Sequence, residues 1–274
     1  MTSELLNALA QTTLATGFTF LCTAAGAAAV FFMKPGNGRG RGAELAETLS
    51  LGFAAGIMIA ASVWSLIIPA QEMAQAQGGT PWLAAGSGVA AGALFLKLLD
   101  TALPHLHPGA ARPEGPKTSM HRAMLLFIAI TLHNVPEGGS LGLVAGSAAL
   151  SGEPAELSSA LALALGIGIG IQNIPEGAAV SLPLAGQGMS RMRAFLFGAF
   201  SGIVEPVFGL LVVLVLQTMM PAMPFMLAFA AGAMLYVVVE ELIPAAHLSK
   251  HSDAGTLAVI TGFILMMTLD TALG

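Results

Sequence analysis

The chain has 274 residues, 55% of them hydrophobic and 9% charged, with a formal net charge of −5. A soluble domain carries about a quarter of its residues as charges, so this composition excludes an ordinary water-soluble globule and points to lipid as the solvent. The basic residues are few and scattered, which argues against nucleic acid, and the lone Cys22 excludes an intrachain disulfide or a multi-thiolate metal site.

A helix that crosses a bilayer needs about 20 mostly apolar residues. Taken in chain order, such windows fall at 9–33, 47–70, 82–103, 123–148, 158–185, 194–219, 222–246 and 255–273. The predicted fold is an all-α integral membrane protein, one transmembrane domain over 1–274 with eight spans and a polar loop at 104–121. The N-terminus has no basic stretch followed by a cleavage site, so the first span is expected to stay as a helix. Lys34, Arg39 and Arg41 lie between spans 1 and 2, and Lys97, Arg112, Lys117 and Arg122 at or between spans 3 and 4. Arg191 and Arg193 separate spans 5 and 6, and Lys250 follows span 7. With eight spans all of these fall on one side, which the positive-inside bias makes cytoplasmic. Both termini are then outside the cytoplasm.

Two short stretches recur. Phe53-Ala-Ala-Gly-Ile-Met58 in span 2 returns as Phe229-Ala-Ala-Gly-Ala-Met234 in span 7, each followed by Ile-Pro-Ala, at 68–70 and 243–245, with one residue of difference in spacing. Leu99-Asp-Thr-Ala-Leu103 closes span 3, and Leu269-Asp-Thr-Ala-Leu273 closes span 8. The charge topology gives the members of each pair opposite directions. Spans 1–3 and 6–8 therefore read as an inverted repeat with spans 4 and 5 between them, an arrangement characteristic of transporters.

Spans 4 and 5 carry the chemistry: Leu132-His-Asn-Val-Pro-Glu-Gly138 and Ile171-Gln-Asn-Ile-Pro-Glu-Gly177. His133 and Glu137 are four apart and share a helical face, as do Gln172 and Glu176. Asn134 and Asn173 sit beside them. Polar groups inside a bilayer are costly and imply a functional reason and mutual partners. Pro136 and Pro175 each lack an N–H and clash with the carbonyl four residues back. Both helices are expected to kink and line a cavity. Span 6 adds Glu205-Pro206. Three buried carboxylates are too much charge without cations; two metals, or one metal plus protons, would balance it. Nitrogen and oxygen ligands without thiolate suit zinc, iron(II), manganese or cadmium. Pro113-Glu114-Gly115 in the polar loop shows that the tripeptide alone carries no weight.

His-Asn-x-Pro-Glu-Gly followed one span later by Gln-Asn-x-Pro-Glu-Gly resembles the ZIP (Zrt/Irt-like protein) metal transporters, in particular their bacterial GufA-like branch. The resemblance implies uptake of zinc and related divalent ions into the cytoplasm through a binuclear site. Carried over by motif position, that site is His133, Asn134, Glu137, Gln172, Asn173, Glu176 and Glu205, with Met58 as a further ligand. The family often has a carboxylate where Asn173 stands, which lowers the charge at the second metal position. Residence in the inner (plasma) membrane and a homodimer are implied as well.

Glu240 and Glu241, followed by His247 and His251, lie on the inward part of span 7, and Asp100 ends span 3 on the same side. They are expected to form an exit path, while Ser65 lines the entrance and His105, His107 and His121 offer transient loop ligands. Alternating access is the expected mechanism, and a passive metal channel through the same site is the alternative. No GxxxxGK[ST] motif is present to drive transport with nucleotide, and no HExxH motif to make a metalloprotease. No cofactor and no enzymatic activity are expected, and a metal sensor without flux is the remaining reading.

Overall fold

The computed structural model describes residues 3–32, 41–104, 116, 122–150, 155–186, 188–247 and 252–273. The described chain is helical, with no strands among the described residues. Helix α1 (Ser3–Ala27) runs into a 3₁₀ turn (Ala28–Phe32), and α2 (Arg41–Ala61) continues through a π-turn (Ser62–Ile67) into α3 (Ile68–Ala76). Then come α4 (Pro81–Ala102), α5 (Arg122–Leu150) and α6 (Ala155–Gly186). The sixth predicted span is two helices, α7 (Arg191–Ser201) and α8 (Val204–Met219). After a 3₁₀ turn at Met220–Ala222, α9 (Met223–Val237) passes through a second π-turn (Val238–Leu242) into α10 (Ile243–His247), and α11 (Ser252–Leu273) closes the chain.

Among the described residues, six helical stretches are long and apolar enough to cross a membrane: Ser3–Phe32, Thr48–Ala76, Pro81–Ala102, Arg191–Leu216, Met220–Leu242 and Asp253–Ala272. The motif-bearing helices α5 and α6 are the longest, at 29 and 32 residues, but are not among the six.

The π-turns explain the one-residue difference in the repeated spacing. Both begin nine residues after the repeated phenylalanine, and one has six residues where the other has five. Each precedes an Ile-Pro-Ala. A proline ring clashes with the carbonyl four residues back, and the wider turn makes room for it. Accordingly the N–H of Ile68 bonds to Val63 O and that of Ile243 to Val238 O, both five residues earlier.

The helices pack in matching pairs. α2 lies along α11 and α4 along α9; α1 lies along α6 and α5 along α8. Small residues let the backbones touch. A Cβ on Gly56 would collide with Val259 O and one on Gly262 with Phe53 O, and the same holds for Gly232 against Val89 O and Gly92 against Phe229 O. In the other group, Gly177 abuts Thr23 O, and Gly138 the backbone of Glu205. The main apolar core, with Ile57, Met58, Leu141, Leu165, Ile169 and Met234, joins the two groups.

Candidate metal-transport site

The predicted ligands converge in burial. His133, Asn134 and Glu137 on α5, Gln172, Asn173 and Glu176 on α6, and Glu205 on α8 are all between 0% and 7% exposed. In lipid or protein, groups of this kind must find partners, and most of them do so across helices. Gln172 donates its amide to Glu137 Oε1 at 2.7 Å, and Asn173 donates to Glu205 Oε1 at 2.9 Å. Asn134 donates to Ser201 O at 3.0 Å. The hydroxyl of Thr19, on α1, donates to Glu205 Oε2.

Pro136 and Pro175 lie inside α5 and α6, which run through them without interruption. A proline deletes one backbone bond, and the flanking turns can hold the helix together. The interruption falls in the sixth span, where Gly202 and Ile203 separate α7 from α8. Gly202 sits against the side chain of Thr23, and a Cβ there would crowd it. The break puts Glu205 in the first turn of α8, where Pro206 needs no helical N–H partner. Glu205 is thereby set over the contact between α8 and Gly138.

His133 has a partner that spacing could not reveal. Its Nε2 lies 2.7 Å from Glu241 Oε1, which comes from the second π-turn. Of the two adjacent acidic residues there, Glu241 is buried and Glu240 exposed. Ser65, in the first π-turn, donates to Asp270 Oδ1 at 2.8 Å. Ser65 and Glu241 occupy equivalent places, twelve residues after Phe53 and Phe229. Asp100 is buried near the end of α4 and His247 ends α10. Met58 is buried in the apolar core, 1% exposed. The loop histidines 105, 107 and 121, and His251, lie outside the described residues.

Five acceptor oxygens in this region have no hydrogen-bond donor: Asn134 Oδ1, Glu137 Oε2, Gln172 Oε1, Asn173 Oδ1 and Glu176 Oε2. Among the described residues, no three His, Cys, Asp or Glu side chains stand in a ready-made metal-holding group. Glu137 is engaged with Gln172, Glu205 with Asn173 and Thr19, and Glu241 with His133 instead. Sequence reasoning missed Thr19, although a signal was there: Thr12, Thr16, Thr19 and Thr23 repeat at helical spacing, and all four are fully buried.

The apolar helices define a multi-pass membrane protein. The ZIP zinc transporter family model matches residues 110–270. Zinc transporter ZIP11 of Homo sapiens is 37% identical, with 96% of this chain and 97% of that protein covered. Zinc transporter GufA of Myxococcus xanthus is 36% identical over 77% of this chain and 81% of its own length. Zinc transporter ZIPB of Bordetella bronchiseptica is 36% identical over 82% and 71%. The chain belongs to the ZIP zinc transporter family, as its His-Asn-x-Pro-Glu-Gly and Gln-Asn-x-Pro-Glu-Gly motifs lead one to expect. It is a transporter and not an enzyme.

Proposed function

We propose that this chain carries zinc, and with it cadmium, iron(II) or manganese, into the cytoplasm through the cluster on α5, α6 and α8. The carrying observation is the set of five buried oxygens without donors. Buried polar groups are normally hydrogen-bonded, and a cluster of buried acceptors without donors is chemically suited to a cation. Carboxylate, imidazole and amide suit zinc and its neighbours, and the relatives' names point to the same ion.

One cation place draws on His133, Glu137, Gln172 and Glu176, and a second on Asn134, Asn173 and Glu205. Met58 is a further ligand by resemblance alone. To take His133 Nε2 as a ligand, the ion must displace its contact with Glu241, whereas Glu137 Oε2, Gln172 Oε1 and Glu176 Oε2 are free to accept it. Its affinity then differs between conformations, which is what allows a ligand to drive a change.

The matched glycine contacts support the inverted repeat. Exchanging Gly56 with Gly232 and Phe53 with Phe229, together with Gly262 for Gly92 and Val259 for Val89, turns one set of contacts into the other. On this reading α5 and α6 complete eight spans, and the group α1, α5, α6, α7 and α8 shifts against α2, α4, α9 and α11 in alternating access. The ion enters past Ser65 and leaves past Glu241, Glu240, Asp100 and His247. We place the protein in the inner (plasma) membrane as a homodimer, with both termini outside the cytoplasm.

Zinc uptake into proteoliposomes tests the reading. Glu176→Ala and His133→Ala should each reduce uptake to the background of empty vesicles, and unchanged uptake in either overturns the assignment. Saturable flux with counterflow is expected of the carrier. Non-saturating flux without counterflow would identify a channel through the same site.

A further inference from the structure

Both carboxylate oxygens of Glu205 are occupied by neutral donors from two different helices. Asn173 of α6 donates to Oε1 at 2.9 Å, and Thr19 of α1 donates to Oε2. The Thr19 hydroxyl also lies 3.0 Å from Thr16 O, but a carboxylate is the stronger acceptor. Thr16 and Thr23 turn their hydroxyls back to Thr12 O and Thr19 O, at 2.7 and 3.2 Å, the usual local bond of a threonine in an apolar helix. Asn173 Nδ2 lies 3.4 Å from Thr19 O as well, so its amide is anchored to α1 and α8 together. Glu205 is 0% exposed.

The first cation place looks different. Glu137 and Glu176 each keep one oxygen without a donor, as does Gln172. Those atoms can accept an ion directly, as can Asn134 Oδ1 and Asn173 Oδ1 of the second place; the two places differ at the carboxylate, since neither oxygen of Glu205 is free of a donor. At Glu205 an incoming cation would face the positive ends of an O–H and an N–H aimed at the same oxygens.

We propose that Thr19 is a positioning residue of the transport site. With Asn173 it holds Glu205 as a strut joining α1, α6 and α8, and this closes the second cation place in the conformation described. The chain then binds one divalent ion tightly and a second only by giving up the hydrogen bonds to Glu205. This inference rests on the cluster being a cation site.

Zinc titration of the full chain purified in detergent, by calorimetry and equilibrium dialysis, tests it with the metal alone. The unmodified protein should show one tight event and one at least about tenfold weaker, the order of one hydrogen bond to a charged group. Thr19→Val combined with Thr23→Val, which removes the neighbouring hydroxyl that could substitute, should tighten the weaker event about tenfold and leave the tight one in place. Thr19→Ser, which keeps the hydroxyl, should titrate like the unmodified protein. Glu205→Gln should remove only the weaker event. Two equal events in the unmodified protein overturn the proposal, as does an unshifted weak event in the valine variant or loss of the tight event in Glu205→Gln. Should the valine variant fail to fold, Thr19→Ala alone removes the donor to Glu205 Oε2 without adding charge: a tightened weak event supports the proposal and an unshifted one overturns it. If both events instead survive Glu137→Ala and Glu176→Ala unchanged, the site reading itself has failed, separately from the role of Thr19.

Discussion

The two helix groups of this transporter are held together by different means. The panel of α2, α4, α9 and α11 is joined by glycines set against backbone carbonyls, Gly56 and Gly262 on one side and Gly92 and Gly232 on the other. The bundle of α1, α5, α6 and α8 has glycine contacts too, but its interior also holds Thr19, Asn134, Glu137, Gln172, Asn173, Glu176 and Glu205. Backbone contact between small residues gives a surface with one good packing. A network of amides and carboxylates with spare acceptors can be rearranged by an ion. The contrast suggests a rigid frame beside an adaptable site, with Glu241 as the frame's hand on the site through His133.

The largest expected effect lies at that contact. Glu241→Ala should lower maximal zinc uptake on the order of a hundredfold, the kinetic equivalent of about 3 kcal/mol for leaving a buried partner unpaired. Zinc binding measured by titration should persist, and uptake at the unmodified rate would detach the frame from the site. Next comes the frame itself. Gly92→Ala and Gly262→Ala, at equivalent places, should each lower unfolding stability by about 1–3 kcal/mol through overpacking. Gly86→Ala, which meets open space on α4, should not lower it and can gain up to about 1 kcal/mol from helix propensity. Chemical denaturation in detergent reads all three, and a loss at Gly86 equal to that at Gly92 would remove the case for backbone contact.

A smaller effect is expected at the other π-turn. Ser65→Ala removes the hydrogen bond to Asp270 and should raise KM for zinc about tenfold with kcat little changed. A fall in kcat at constant KM would show that Ser65 acts on the conformational change and not on capture. Smallest of all, Glu240→Gln at the exposed neighbour of Glu241 should change uptake by less than about twofold, in keeping with the small effects of most surface substitutions. A loss matching that of Glu241→Ala would mean that both acidic residues serve the exit.

Much of this was legible before any coordinates. The predicted windows match the helices to within a few residues at most ends. The misses were at 9, where α1 starts at Ser3, at 47, where α2 starts at Arg41, and at 70, where the π-turn carries the helix past Pro69 to Ala76. The seven motif residues stood out because histidine, amide and carboxylate are so costly in an apolar helix that their presence is itself a signal, and all seven are buried. Thr19 escaped because threonine satisfies itself on its own backbone and costs little. The interruption at Gly202 and Ile203 lies just before Pro206, whose ring clashes with the carbonyl four residues back, while only the structure shows Gly202 set against Thr23.

The sequence by itself determined which stretches are apolar, which polar residues lie within them, and that two segments recur, because hydropathy and spacing are local properties of the chain. Only the tertiary structure decided that His133 meets Glu241, that Asn173 and Thr19 share Glu205, and that Ser65 and Glu241 occupy equivalent turns. Those pairings join residues from 32 to 186 positions apart. They follow from how closely glycine lets the helices approach, and no periodicity along one helix encodes where another helix will lie.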